Sequence, residues 1–258
     1  MKIAVCLKLV PATTADIRVA PDGKTLLLSG VEMLVSPYDE YALEAALKLR
    51  ESFAGSSIHV LTVGGDDAAK CLQHSFALGV DAALHIKASG LDASAAARAS
   101  AAALKSIAPD IVLCGRQAID DDLWLFPGYL AEMLNLPHIT AAASLTVSAD
   151  GKSAKCGCRS ESSEQILEVS LPAVISCDKG LNEPRAPTLK GRLDAKKKQA
   201  EVKMPAAFGL TGADLDSALT VLKYSPPPQK SSGKIITGSP QEAAAELVRL
   251  LRDEAKIL

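Results

Sequence analysis

The sequence predicts an α/β protein: a parallel sheet flanked by helices, followed by an extended C-terminal arm. Three observations predict it. Through the first half, short β-type runs alternate with helical patterns. Those runs are nearly continuous in apolar residues, as strands covered on both faces must be. Periodicity then fades after about residue 178 and returns only in one amphipathic stretch near the end. The expected organisation is an α/β unit over residues 1–180 and an arm over 181–258.

Each element has its own signal. Residues 2–9 (KIAVCLKL) read as the first strand. Leu43, Ala46 and Leu47 stand at i, i+3, i+4 and place a helix over 39–52. Ile58 to Val63 is a strand stopped by Gly64-Gly65. Asp66 is placed to cap a helix whose Ala68, Cys71, Leu72, Ser75 and Phe76 share one face, and Gly79 ends it. A strand over 82–87, an Ala-rich helix over about 92–107, a strand over 110–114 and a helix over about 128–135 follow. Ligands of such sheets bind at the carboxyl ends of strands, so the loops after Val10, Val63 and Cys114 are the ones of interest. Residues 142–149 and 153–170 read as a hairpin region turned at Asp150-Gly151, and 171–176 as a returning strand. The weakly patterned segment from 178 to about 238, with Lys196-Lys197-Lys198 and Pro226-Pro227-Pro228, reads as a linker, an arm or a partner-binding element. Ser239-Pro240-Gln241-Glu242 is a capping box with proline at the first helical position. Ala244, Leu247, Val248 and Leu251 then form an apolar stripe, which needs a surface on its own domain or on a partner.

Composition excludes several classes. With 258 residues, 48% of them hydrophobic and 22% charged, the chain is neither disordered nor short of core material. Lys and Arg number 28 against 30 Asp and Glu, so the basic excess of a nucleic-acid surface is missing. Aromatic residues are 3%, too few for single-strand stacking platforms. No apolar run approaches the length of a membrane span. The N-terminus carries neither a signal-peptide nor a transit pattern, which points to a bacterial or archaeal cytoplasm. Cys6, Cys71, Cys114 and Cys177 lie in apolar runs and read as small buried hydrophobes. Cys156 and Cys158 share one strand face. They read as a structural pair in a reduced compartment, with redox activity left open. Gly23-Lys24-Thr25 and Gly151-Lys152-Ser153 lack the upstream glycine of a P-loop. The four histidines show no ligand or triad spacing, and no nucleophile–base constellation is visible.

The informative loop is Gly115-Arg116-Gln117-Ala118-Ile119-Asp120-Asp121-Asp122, directly after a strand. A glycine there permits close backbone approach, and Arg116 with the following amides suits an anionic or nucleotide ligand. The three aspartates suit an acidic, solvated turn equally well. Ser36-Pro37-Tyr38-Asp39-Glu40 reads locally as an acidic helix start. Asp178-Lys179-Gly180-Leu181-Asn182-Glu183-Pro184-Arg185 reads as a charged turn leaving a strand.

Together these stretches resemble the beta subunit of electron transfer flavoproteins. The resemblance rests on Val5 to Lys8, Ser36 to Glu44 (SPYDEYALE), Phe76 to Asp81, and Pro109 to Asp122 (PDIVLCGRQAIDDD). It continues through Leu171 to Asp178, Leu181 to Arg185 (LNEPR), Thr188-Leu189 and Ala195 to Lys198, in order and spacing to about residue 200. The resemblance implies an adenine-nucleotide-binding, Rossmann-like α/β domain over 1–180, with a partner-docking loop and arm over 181–258. It implies an electron-carrying heterodimer with FAD mainly on a larger alpha subunit, at the interface. Flavin dehydrogenases would be the donors and a membrane or soluble flavoprotein oxidoreductase the acceptor. The family's beta subunit commonly buries an AMP; electron-bifurcating relatives hold a second FAD there. The implied nucleotide-site residues are Cys6, Ser36, Pro37, Tyr38, Asp39, Gly65, Gly115, Arg116, Gln117, Ala118, Ile119, Asp120, Asp121 and Asp122, with Tyr38 approaching the flavin and Leu189 docking a partner.

Four departures accompany the resemblance. Where the family continues C-N-Q-T-G or T-A-Q-V-G, this chain has Leu123-Trp124-Leu125-Phe126-Pro127. That leaves AMP held by backbone alone, or an empty pocket. The Asp-Asp-Asp run also lacks the D-G-D of bifurcating relatives and speaks against a second FAD. Arg159 stands where the family has a glutamate near the flavin, with Glu161 close by, and Lys190-Gly191-Arg192-Leu193 makes the docking loop more basic. The competing readings are a bifurcating member with its own FAD and a non-redox nucleotide-binding protein of the same fold.

Overall fold

Strand β1 (Lys2–Leu7) buries Ile3 through Leu7 because it lies inside a nine-stranded sheet. A computed structural model describes residues 1–160, 163–226 and 233–258 of the chain. After β1, strand β2 (Leu9–Pro11) pairs antiparallel with β5 (Met33–Val35), and a short ribbon of β3 (Arg18–Val19) and β4 (Leu26–Leu27) lies between them in sequence. Helix α1 (Pro37–Ser52) leads to β6 (Ser57–Gly64), then α2 (Ala69–Ala77), β7 (Ala82–Lys87), α3 (Ala93–Ile107) and β8 (Ile111–Gly115). Helix α4 (Leu125–Leu134) is followed by β9 (His138–Val147), β10 (Ser153–Arg159), β11 (Glu164–Ser170) and β12 (Ala173–Cys177). Helix α5 (Leu189–Ala195), strand β13 (Glu201–Lys203) and helix α6 (Pro240–Asp253) complete the chain.

The sheet order is β11-β10-β9-β12-β8-β1-β6-β7-β13, parallel from β9 to β13, with antiparallel pairing only at β10 and β11. Beginning at β1, the chain builds outward through β6 and β7, then returns to add β8 on the other side of β1. The carboxyl ends of β1 and β8 therefore form a topological switch point, the usual crevice for ligands in open α/β sheets.

Strand alternation divides the core in two. Ile3, Val5, Ile111, Leu113 and Ile175 pack with Leu43 and Leu47 of α1 and Leu72 and Phe76 of α2. Ala4, Cys6, Val112, Cys114 and Val174 pack with Ala97, Ala101 and Leu104 of α3 and Leu130 of α4. Each fully buried large aliphatic contributes about 1.5–3 kcal/mol of apolar transfer, so burial on both faces is what holds the switch point rigid.

Three local expectations change in detail. The hairpin region is a three-stranded meander, because a second reversal is made at Ser160 and Ser163: the Ser160 N–H donates to the Ser163 carbonyl over 2.8 Å. Asp66 does not cap α2. Its carboxylate takes the Lys87 ammonium at 2.6 Å, and a short 3-10 turn from Asp66 to Ala68 leads into the helix instead. The weakly patterned stretch beyond 178 adds α5 and also a ninth strand, β13, paired in parallel with β7. Glu161, Pro227 and Pro228 lie outside the described residues. The capping box forms as expected: the Ser239 hydroxyl accepts the Glu242 N–H while the Glu242 carboxylate accepts the Ser239 N–H. All six cysteines are buried free thiols. Among the described residues, no helix is long and apolar enough to cross a membrane.

Candidate functional site

The crevice is organised by one carboxylate. Pro37 opens α1 and leaves Asp39 in its first turn, and the Ser36 N–H ties the helix start to the Lys8 carbonyl at 2.9 Å. From there Asp39 reaches back into the sheet. One oxygen accepts the Lys8 N–H just beyond β1, and the other accepts the Gly115 N–H at the end of β8, both at 2.8 Å. The carboxyl group is buried, and burial pushes its pKa up to about 7 against the opposing pull of those two hydrogen bonds. Gly115 is required by sterics: a Cβ there would stand 2.6 Å from Asp39 Oδ1 and 2.7 Å from Tyr38 Cβ.

Lys8 turns its ammonium to Asp120 at 2.8 Å and Asp121 at 2.9 Å. Burial would lower its pKa, but the charges and hydrogen bonds of the two aspartates outweigh this and raise it. Arg116 leaves β8 in the other direction. Its guanidinium donates to Asp178 at 2.7 Å and to the Tyr38 hydroxyl at 3.1 Å, and its Nε to Gln117 Oε1 at 3.0 Å. The same group lies 4.2 Å from the Trp124 ring centroid and 4.8 Å from that of Tyr38, between two aromatic faces. The loop closes on itself, with the Asp122 N–H donating to the Ala118 carbonyl at 2.9 Å and Gln117 donating to Asp122. Asp122 (φ 51°) and Trp124 (φ 56°) are both left-handed, a backbone state that a bulky residue rarely adopts.

The sequence-predicted residues thus gather along three neighbouring strand ends. Ser36 to Asp39 and Gly115 to Asp122 meet at β1 and β8, and Gly65 follows β6 one strand away. Cys6 is near them but sits below the crevice in the α3/α4 core. Burial, with the Asp39 charge adding to it, pushes its thiol far above the usual range, and burial does the same to Cys114 and Cys177. Burial of this kind keeps a thiol protonated and unreactive. Among the described residues, no group of three His, Cys, Asp or Glu is arranged to hold a metal.

Two residues given no role from the sequence are fixed in specific contacts. Lys8, the first residue past β1, carried only a positional signal. Glu44 is buried in α1, where Arg185 Nε and Nη2 each reach its carboxylate at 2.8 Å, and Arg185 also takes Glu51 at 2.7 Å. With Asn182 donating to the Tyr41 carbonyl at 2.9 Å, this fastens the 181–185 segment along α1. Leu189 lies elsewhere, on α5, with 77% of its surface exposed. A Cβ on Gly191 would stand within van der Waals exclusion of the Ala77 carbonyl, so α5 is seated directly on the end of α2.

Comparison with known proteins shows the family. The model of the electron transfer flavoprotein domain matches residues 24–207. An electron transfer flavoprotein subunit beta of Syntrophomonas wolfei is 34% identical over 258 residues, covering 100% of this chain and 98% of the relative. The chain belongs to the electron transfer flavoprotein beta-subunit family. A Bacillus subtilis subunit beta is 35% identical over 233 residues, covering 89% of this chain and 90% of its own. The caffeyl-CoA reductase-Etf complex subunit CarD of Acetobacterium woodii is 32% identical over 262 residues, covering 98% and 99%.

Proposed function

We propose that this chain is the electron-carrying beta subunit of a cytoplasmic heterodimer, with FAD bound mainly by an alpha subunit at the interface. Flavin dehydrogenases would donate electrons, and a flavoprotein oxidoreductase would accept them. The observation that carries this reading is unpartnered apolar surface on well-formed elements. Leu189 is 77% exposed on the seated helix α5, and α6 forms with a complete capping box yet buries none of its residues. Apolar groups held out on ordered elements fit partner surfaces better than solvent.

The flavin, when bound, supplies the redox chemistry. This chain's part is to shape one wall. Asp39 holds the ends of β1 and β8 together, which sets the position of Tyr38 beside them. Arg116 fixes the Tyr38 phenol by a hydrogen bond and by stacking. Exposed Arg159, at the end of β10 and next to Gly180, offers a cation where the family has a carboxylate, which favours an anionic flavin on that side. Docking falls to Leu189 with Leu193 one turn on, bordered by exposed Lys190 and Arg192's neighbourhood of positive charge. The name of the Acetobacterium relative favours a second reading, in which the subunit works inside a larger reductase complex.

Co-expression with the partner encoded beside it, followed by denaturation and chromatography, tests the proposal. One FAD per heterodimer is expected, together with dehydrogenase-driven reduction of that FAD. Two FAD would favour the bifurcating reading. A chain that purifies alone and binds no flavin would favour a non-redox protein of the same fold.

A further inference from the structure

The family reading says which ligand the switch-point crevice ought to take, an adenine nucleotide, and the side chains present do not fit one. We propose that this subunit commits the groups of the crevice to one another, with Asp39 on the strand-end amides and the half-exposed Trp124 ring on Arg116, and carries neither AMP nor a second FAD there. The proposal uses the family reading only to name the missing ligand.

An open α/β switch point binds phosphate through backbone N–H groups at strand ends and at a helix N-terminus. Here the N–H groups of Lys8 and Gly115 already donate to Asp39, at 2.8 Å each. That carboxyl group is buried, and displacing it would strip both N–H groups of their acceptor. The helix that follows the loop, α4, offers little in return. It has no side-chain cap, and Pro127 removes one of its first-turn N–H groups. Leu123, Trp124 and Leu125 stand exposed around that helix start, where a phosphate would need polar neighbours.

Both cations at the site are committed. Lys8 bridges Asp120 and Asp121, and Arg116 is bound to Asp178. Three carboxylates, Asp120, Asp121 and Asp178, thus pair with the two positive charges. A nucleotide phosphate would have to displace a carboxylate and then remain beside it.

The position for a base is also taken. Stacking on a guanidinium is a common grip on a flat ring, and the Arg116 guanidinium already lies over the Trp124 ring at 4.2 Å and the Tyr38 ring at 4.8 Å. Trp124 reaches Arg116 from a left-handed backbone, a conformation that persists only where side-chain contacts compensate for it. Two surface concavities lie away from these groups. One of about 210 Å³ lies between α1 and β9 beside Asn182, and one of about 530 Å³ lies between residues 28–33 and Lys70.

Trp124 is the only tryptophan of the chain, which makes the proposal directly measurable. The heterodimer is purified, denatured, and its released FAD and AMP are quantified. The intact complex is also titrated with AMP to about 1 mM, the upper limit for a weak specific site, while tryptophan emission is recorded for the wild type and for Trp124→Phe. The expected result is stoichiometric FAD, far substoichiometric AMP, and no saturable emission change. Stoichiometric AMP, a second FAD, or a saturable change that Trp124→Phe lacks would overturn the proposal. Release of neither FAD nor AMP would sink the functional reading above and leave the committed crevice standing.

Discussion

Replacing Gly115 by alanine tests the packing at the centre of the site. The added Cβ would stand 2.6 Å from Asp39 Oδ1, 2.7 Å from Tyr38 Cβ and 2.8 Å from the Asp39 backbone nitrogen. Two of these three atoms cannot rotate away, since one is backbone and one is attached directly to it. Overpacking of this kind costs about 1–3 kcal/mol. Lengthening the Gly115 N–H to Asp39 bond adds about 1–3 kcal/mol, because the acceptor is buried. The sum is about 2–6 kcal/mol, or a melting-point drop of roughly 4–24 °C for a chain of this size. Gly115 is not at positive φ, so steric exclusion is the only cause invoked. Gly128, in α4, is the matched control: a Cβ there has nothing within 4 Å, and alanine should stabilise the helix by about 0.5–1 kcal/mol. Thermal melts of both variants, followed by circular dichroism on the same preparation, read the difference. If Gly115→Ala melts with the wild type while folding normally, the close approach of α1 to β8 is wrong.

Asp39 should give the protein an unusual pH profile. Its folded pKa is raised to about 7 by burial, above the ordinary value of 3.8. Its contribution is therefore full below about pH 4 and is lost as pH rises toward 7, at up to about 1.4 kcal/mol per pH unit. Urea melts across that window should show this decline in the wild type and a flatter profile in Asp39→Asn; equal slopes would contradict the burial. Arg185→Gln leaves the Glu44 carboxylate buried without its bidentate partner. About 2 kcal/mol of destabilisation is expected, less than for a fully buried pair because Arg185 is 41% exposed, and denaturant melts would check it. Leu189→Ala should leave the melting temperature within about 1 °C of wild type, since the side chain is 77% exposed, yet slow dehydrogenase-driven flavin reduction about tenfold or more. An unchanged rate in stopped-flow would remove Leu189 from the docking surface.

Most of the fold was legible because its signals are local. Apolar runs bounded by Gly64-Gly65 and Gly79, the box at Ser239 and Glu242, and the helical spacing of Leu43, Ala46 and Leu47 all depend on near neighbours. The site was legible in part, as motifs whose residues the resemblance grouped and the strand ends bring together. Its contacts were not legible. Asp39 to Gly115, Lys8 to Asp120 and Arg185 to Glu44 join residues separated by 76, 112 and 141 positions. Nothing in the composition of either member of such a pair names the other. Strand β13 was invisible for a related reason: three residues, exposed or half-buried, make no period, and only the free edge of β7 makes them a strand.

By itself, then, the sequence determined the alternation of strands and helices, the family resemblance and the loop after Cys114 as the place of interest. Tertiary structure decided what that loop touches. On local grounds Gly115 to Asp122 suited an anion pocket and an acidic turn equally, and the choice depends on what lies opposite. Because β8 returns beside β1, Lys8 meets the aspartates, Asp39 meets the free backbone amides, and Trp124 meets Arg116. Charges and donors that read as available in a linear sequence are spent on one another once the sheet order brings them within hydrogen-bonding distance.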